Sequence, residues 1–520
     1  MLENLLKVLR SPLILLGLVL FIISLFFGTQ PSYLYYLTVA QLIYTPIMVE
    51  HIVKLHNWEK LIIATGMLSV SILTVEVTPE LANIAAGMYV LATFVIAKKG
   101  IERFLHRGFT NKAEIVIDIG VIYIAIGGLW FLAYIAGIDT GFPPIINWLT
   151  SIHFHYSAFL LCISLGLIGR LTQGRLYNFI AVIFVTGPML VALGITFSRI
   201  LEIVSVILYI LAIYALFFML FRIRMPFLQA LSIRLTIASL CFTILWSLLY
   251  AYGNLTEKTI VTIPDMLHFH GFYNCVIFGL FTIVGWSIKV PETKQPPYSF
   301  PVSGIRGKLN EVGEGFPGLV DSLADFVDCS TLPRSITHFY EHTNQYRLFA
   351  SVTWKPWFKP FAFIYQGISK KIGQLNLPYS SHRVEMTGTI HSVDNSLDGR
   401  EKPRVWKRQI EDETVFVAIY SKHTSNDKTY MNIALPLPFS TMVGILELSE
   451  QHGELHIKSN GTGDSGTYLA IGNYVMKLPL HEYFIITEEA GDLIATHIMT
   501  IFGLHFLHID YKIVLKLQKE

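Results

Sequence analysis

Up to about residue 290 the chain is written as long apolar runs separated by short polar breaks, and from residue 383 apolar and polar residues alternate with a period of two. A bilayer core of ~30 Å takes about 20 apolar residues of helix. Ten runs of that kind fall near 11–28, 33–53, 61–78, 80–97, 113–138, 145–169, 176–197, 199–221, 228–252 and 264–288. The third and fourth are short and parted only by Thr78, Pro79 and Glu80. The first is read as a span and not a signal peptide, because no small-residue cleavage site follows it and further spans do. Pro46 and Pro188 are expected to kink their helices.

Pro291, Pro296, Pro297, Pro301 and Pro317 stop helix propagation and predict a linker over 291–317. Beyond it, 318–328 places Leu319, Leu323, Phe326 and Val327 near one helical face, and a second short helix is expected at 334–342. Alternating stretches from RVEMTGTIHSV to LIATHIMTIF then predict eight or more short strands joined by Asp398-Gly399, His452-Gly453, Gly461–Gly466 and Gly491-Asp492 turns. The fold class is therefore an α-helical polytopic membrane bundle of about ten helices over 1–290, followed by a β-rich (α+β) domain over 318–520. That domain is expected to form a lipocalin-like barrel or a strongly curved sheet.

Composition sharpens this picture. The 520 residues are 53% hydrophobic and 15% charged, with a mean hydropathy of +0.52, too high for an ordinary soluble protein. Residues 1–290 hold 17 Lys+Arg against 12 Asp+Glu and the remainder 22 against 25, so neither part has the basic excess of a nucleic-acid binder. Four cysteines without CxxC spacing support neither a disulfide framework nor a zinc ribbon. The basic residues collect in alternate loops: Lys7 and Arg10; Lys54 and Lys60; Lys98, Lys99, Arg103, Arg107 and Lys112; Arg170 and Arg175; Arg222 and Arg224; Lys289. The opposite loops hold Arg199 and Lys258. Because Lys and Arg collect on the cytoplasmic side, both termini are expected there.

Ionisable residues inside spans are costly and mark candidate sites. His153 and His155 of HFHYSAF, Arg199 and Glu202, and Asp265, His268, His270 and Asn274 of DMLHFHGFYN come from three spans and fall at one outer-leaflet depth. Residues two apart differ by ~200° around a helix, so one histidine of each HFH would face inward unless the helix is unwound. Imidazoles with a carboxylate suit a transition metal held by His153, His155, His268 and His270; they suit a proton relay or a headgroup pocket equally. A histidine near a helix end is more often a satisfied polar residue. Glu50, His51 and Asp118 form an inner-side polar group, which helix anchoring explains more simply, and Arg234 could pair with Glu50 or Asp118.

In the second part, GEGFPG and GTGDSG match a glycine fingerprint but lack the strand-turn-helix context it requires. No Walker sequence, GxSxG elbow or HExxH occurs. The stretch 352–373 is more informative, with Trp354, Lys355, Trp357, Phe358, Lys359, Lys370 and Lys371 and no acid. It fits docking on membrane lipids, and a domain core equally. His338 and His342, four apart, are read as a surface pair.

HFHYSAF, HFHGFYN, PRVWKR, YMNIALPLP and FGLHFLHIDYKI together resemble the YndJ family of bacterial membrane proteins over nearly the whole chain. That resemblance implies a plasma-membrane location and no assigned chemistry. LPRSITHFYEH, NLPY and PRVWKRQI are also similar to a domain sometimes fused to saccharopine-dehydrogenase-like proteins, which implies a β-rich, lipid-cupping domain. Three functional classes follow: transport or handling of a lipid or other hydrophobic small molecule, a membrane-embedded enzyme acting on a lipid or isoprenoid, and a non-catalytic structural or sensory protein.

Overall fold

The computed structural model describes residues 8–293, 298–309 and 312–516. Lys7 of the charge pattern and parts of the expected linker (294–297, 310–311) lie outside the described residues. The chain divides into two compact units, Met1–Phe104 with Asn111–Pro296, and Leu105–Thr110 with Pro297–Glu520.

All ten apolar runs of the first unit are helical: α1 (Pro12–Phe27), α2 (35–52), α3 (Asn57–Ile72), α4 (Pro79–Leu105), α5 (Lys112–Ile135), α6 (Pro144–Leu171), α7 (Arg175–Phe197), α8 (Arg199–Leu220), α9 (Phe227–Thr256) and α10 (Ile263–Ile288). Among the described residues seven of them, α4 to α10, are long and apolar enough to cross a membrane, fewer than the ten expected. The reason is length for α1 and α3. Each has 16 residues, and at a rise of ~1.5 Å per residue they reach only about 24 Å of a ~30 Å core. Start signals are local: the Asn111 side chain accepts from Ala113 N–H (3.0 Å) at α5, and Ser198 accepts from Leu201 N–H (3.3 Å) at α8.

Among the described residues four π turns interrupt the helices, at Ala40–Tyr44, Phe154–Leu160, Leu267–Gly271 and Asn274–Gly279. The first directly precedes Pro46, whose missing N–H breaks the regular ladder. Side-chain donors cover carbonyls at such irregularities. Tyr44 Oη donates to Cys275 O (3.0 Å), and near Pro188 the Cys162 thiol and Tyr123 hydroxyl donate to Phe184 O (3.5 Å) and Val185 O (2.6 Å). Without water in a bilayer each uncovered carbonyl would be expensive. Helices α5 and α6 approach closely at Gly166, where a Cβ would lie 2.3 Å from the Ile117 side chain. Val182, Ile195, Ile207, Leu211 and Phe218 of α7 and α8 are exposed, as lipid-facing residues must be.

The second unit is built on twelve antiparallel strands: β1 (Tyr346–Trp354), β2 (Val384–Ser392), β3 (Arg404–Ile410), β4 (Glu413–Ser425), β5 (Lys428–Leu437), β6 (Ser440–Gln451), β7 (Glu454–Lys458), β8 (Gly466–Ile471), β9 (Tyr474–Lys477), β10 (Leu480–Glu489), β11 (Asp492–Ile501) and β12 (Leu504–Leu515). Ten of them close a barrel in the order β1-β2-β3-β4-β5-β6-β7-β10-β11-β12, with β12 back on β1, and the β8–β9 hairpin extends from β6. β1 and β12, not anticipated from the alternation, pair from Tyr346↔Leu515 to Trp354↔Leu507 and complete the ring. Closure removes the exposed edges an open sheet would leave. Of the two short helices expected ahead of the strands, 318–328 is reduced to the 3-10 turn Leu323–Asp325, while α11 (Arg334–Glu341) forms. From Tyr298 onward the expected linker packs on the barrel, with Tyr298 and Phe300 against the Tyr468 ring (4.8 and 4.9 Å between centroids). Helix α12 (Lys359–Ile372), ended by Gly373 at φ +68°, runs between β1 and β2.

Candidate functional site

The residues expected to share one outer-leaflet layer separate into distinct groups. His155 is buried, donates from Nδ1 to Ser151 O (2.8 Å) and accepts at Nε2 from the Tyr89 hydroxyl (2.6 Å), over which it stacks. Its space exists because position 127 is glycine: a Cβ there would lie 2.8 Å from Nδ1. His270 donates from Nδ1 to Thr243 O (3.1 Å) and accepts at Nε2 from Asn274 Nδ2 (3.0 Å), while Asn274 Oδ1 accepts from Thr243 Oγ1 (2.9 Å). His153 is exposed, donates to Leu149 O, and its ring centre is 6.2 Å from that of His270. His268 and Asp265 are exposed, and Asp265 serves as the capping partner of Thr262. Glu202 is buried and accepts from Asn254 (3.0 Å), whereas Arg199 pairs with Glu257 (2.7 Å) on the surface. The second HFH motif lies in a π turn and the first enters one at Phe154; in each, one histidine (His155, His270) is covered by the bundle and the other (His153, His268) is exposed.

These residues do not fit a metal. Among the described residues no three His, Cys, Asp or Glu side chains gather as ligands. In His155 and His270 both ring nitrogens are already engaged, leaving no free lone pair. Tyr89→Phe is expected to cost about 1–3 kcal/mol by orphaning a buried imidazole nitrogen. An unchanged unfolding midpoint of the full chain would show that this bond contributes nothing.

On the inner side Glu50 accepts from Ser11 (2.7 Å), and His51 meets Ser287 (3.0 Å). Asp118 belongs to a buried ion network the sequence did not disclose. Arg103 binds Asp118 (2.7 Å), Glu114 (2.8 Å) and Ile52 O (2.8 Å), and Arg170 binds Glu114 through two nitrogens (2.6 and 3.0 Å) and Pro291 O (2.7 Å). Glu59 and Glu102 hold Lys99 beside it (2.6 and 3.1 Å). Arg234, expected to pair with Glu50 or Asp118, instead donates to Leu220 O (3.4 Å) and lies over the Phe221 ring. Between the outer and inner groups, α6 and α10 contribute buried Phe159, Cys162, Phe278 and Trp286.

A cavity of about 580 Å³ lies inside the barrel. Its wall is apolar, with Leu348, Met431, Leu446, Ile457, Ile486 and Met499 among its residues, and α12 contributes Phe361, Ala362, Ile364, Tyr365 and Ile368. The aromatic-basic segment is divided by the fold. Trp354 donates to Pro378 O (3.0 Å) and stacks on Phe358, which packs on Phe506 (4.6 Å), so these two rings are core. Trp357, Phe361, Phe363, Ile364 and Ile368 are exposed, as are Lys359, Lys370 and Lys371, while Lys355 is half-buried. Lys370 is tied to Glu413.

The model of the family described as YndJ-like protein matches residues 35–278. The chain is similar to the "Uncharacterized membrane protein YndJ" of Bacillus subtilis (strain 168), with 38% identity over 427 residues, covering 77% of this chain and 78% of that protein. No solved structure matches. With a matching family model, a relative of this extent and seven helices able to span a bilayer, the chain is a multi-pass membrane protein that belongs to the YndJ-like family.

Proposed function

We propose that this protein binds and handles a hydrophobic molecule or lipid, held inside the β-barrel and exchanged with a membrane surface. The observation that carries the reading is the apolar cavity of about 580 Å³, within the ~300–1,000 Å³ ordinary for small-molecule sites. A ring of ten strands is wider than the ~8-stranded ring whose interior side chains just fill, so it leaves room for a small ligand. Access is suggested by α12, which lines the cavity with one part of its surface and exposes Phe361, Phe363 and Ile364 beside Lys359 and Lys371. Exposed aromatics with lysines favour the headgroup region of an anionic leaflet, at about 1 kcal/mol per lysine. The helical unit supplies the anchor. His155 and His270 are hydrogen-bonded at both ring nitrogens, and bulky side chains are buried on α6 and α10, so the reading assigns no route through the bundle.

The basic-loop rule adds an orientation that does not depend on α1 to α3. Counting α4 to α10 alone, Arg103 with Arg107, Arg170 with Arg175, Arg222 with Arg224, and Lys289 still fall in alternate loops, which supports a cytoplasmic barrel. The test is native mass spectrometry of the full chain extracted in mild detergent. The wild type is expected to retain a stoichiometric apolar molecule, and Ala495→Phe, which adds bulk inside the cavity, is expected to lose it. Equal retention by both, or none by the wild type, would sink the reading.

A further inference from the structure

One polar cluster interrupts the apolar cavity wall. Arg408 of β3, Tyr420 of β4, Glu482 of β10, His497 of β11 and Tyr511 of β12 all line it. The Arg408 guanidinium lies between two rings, 4.5 Å from the centre of Trp406 and 4.2 Å from that of Phe416, its cross-strand partner. Among the described residues it makes no ion pair with a carboxylate, and its buried Nε has no hydrogen-bond partner. His497 is 7% exposed, stacks on Phe484 at 3.7 Å, and neither ring nitrogen is hydrogen-bonded. Its Nε2 lies 3.4 Å from Glu482 Oε2, and burial, opposed by Glu482, pushes the imidazole below its usual range.

A guanidinium cannot shed its proton, so inside a low-dielectric cavity it must find an anion or be held at a cost. Its planar fork, with two tyrosine hydroxyls on neighbouring walls, offers donors in excess, which suits an acceptor-rich head such as a carboxylate. Glu482 on the facing wall sets an upper bound on the charge, because a dianion would meet a second negative group across the same small space. Size bounds the rest. A methylene displaces about the volume of a water in the liquid, ~30 Å³, so the cavity takes roughly twenty heavy atoms. That matches one alkyl chain and its head.

We infer that the barrel binds a single-chain monoanionic amphiphile, a long-chain fatty carboxylate, with its head on Arg408, Tyr420 and Tyr511 and its chain along the apolar wall. The inference rests on the reading of the barrel as a hydrophobic carrier. It is tested with the full chain in phosphatidylcholine nanodiscs, by displacing dansyl-undecanoic acid with palmitate, hexadecanol or hexadecyl phosphate. Palmitate is expected to displace the probe from the wild type at least about tenfold better than hexadecanol, the factor a charged hydrogen bond supplies. Arg408→Met is expected to weaken palmitate by about 10- to 100-fold and hexadecanol by less than about threefold, so hexadecanol binding also reports an intact cavity. Arg408→Lys, which keeps the charge but not the fork, should fall between and provides a second variant if the methionine one does not fold.

If hexadecanol competes as well as palmitate in the wild type, or Arg408→Met leaves the preference intact, the head-group assignment is overturned while the carrier reading stands. Tighter binding of hexadecyl phosphate than of palmitate overturns the monocarboxylate. If none of the chains displaces the probe, both readings fall.

Discussion

Replacing Glu114 by glutamine is expected to destabilise the helical unit by about 3–5 kcal/mol, because it strips a buried guanidinium of its carboxylate. The Glu114 side chain is 1% exposed and accepts from Arg103 once and from Arg170 twice. Arg103 keeps Asp118 and Ile52 O, whereas the remaining partner described for Arg170 is the carbonyl of Pro291. The loss should therefore fall mainly on Arg170, whose side chain is 7% exposed. Equilibrium unfolding of the full chain in mixed detergent and SDS micelles measures it, with the transition shifted to lower SDS. Replacing both partners, Glu114→Leu with Arg170→Leu, should recover most of the loss, since a missing buried pair costs far less than half of one. A single substitution as stable as the wild type would show that the network contributes nothing to holding α4, α5 and α6 together.

The second large effect is expected in the barrel unit, at Asp398. Its carboxylate and the Arg400 guanidinium are fully buried and joined by two hydrogen bonds, 2.5 and 3.0 Å. Ser303 donates to the same carboxylate (2.7 Å), and Arg400 reaches the carbonyls of Ile419 (3.2 Å) and Asn432 (3.4 Å), so the pair ties the 298–309 segment to β4 and β5. Asp398→Asn keeps the shape and removes the charge, at an expected cost of about 3–5 kcal/mol. Proteolysis should then begin at the hairpin tips of the barrel at lower urea, while the helical unit keeps its own SDS transition. Arg400→Met added to Asp398→Asn should restore part of the resistance; no difference between single variant and wild type would refute a structural role for the pair.

How far the site could be read beforehand differs between the two units. The ten apolar runs needed only residue counting, and each became helix; what counting overstated was how many are long enough to cross. The polar residues themselves were legible as costly interruptions of apolar spans. Their partners were not. Tyr89 reaches His155 from 66 residues away and Asn254 reaches Glu202 from 52, and no local spacing encodes such a contact. Glu114, in the first turn of α5, is enclosed by Arg103 of α4 and Arg170 of α6. In the barrel a signal was present and passed over. Trp406 and Arg408 stand two apart on a strand, so the arginine shares the inward face of an apolar neighbour.

Local sequence by itself determined the membrane character, the apolar segments, the alternation that makes strands and the change of regime near residue 290, because each depends on the solvent or neighbours a short stretch must face. Barrel closure, the split of the histidines into separately satisfied groups, the buried arginine networks and the cavity with its polar cluster were decided only by tertiary structure. Strand β12 must travel past β11 to meet β1 before a ring exists. A buried charge is paired or left unpaired according to side chains delivered from distant segments, which is a property of the packed chain and of no single stretch within it.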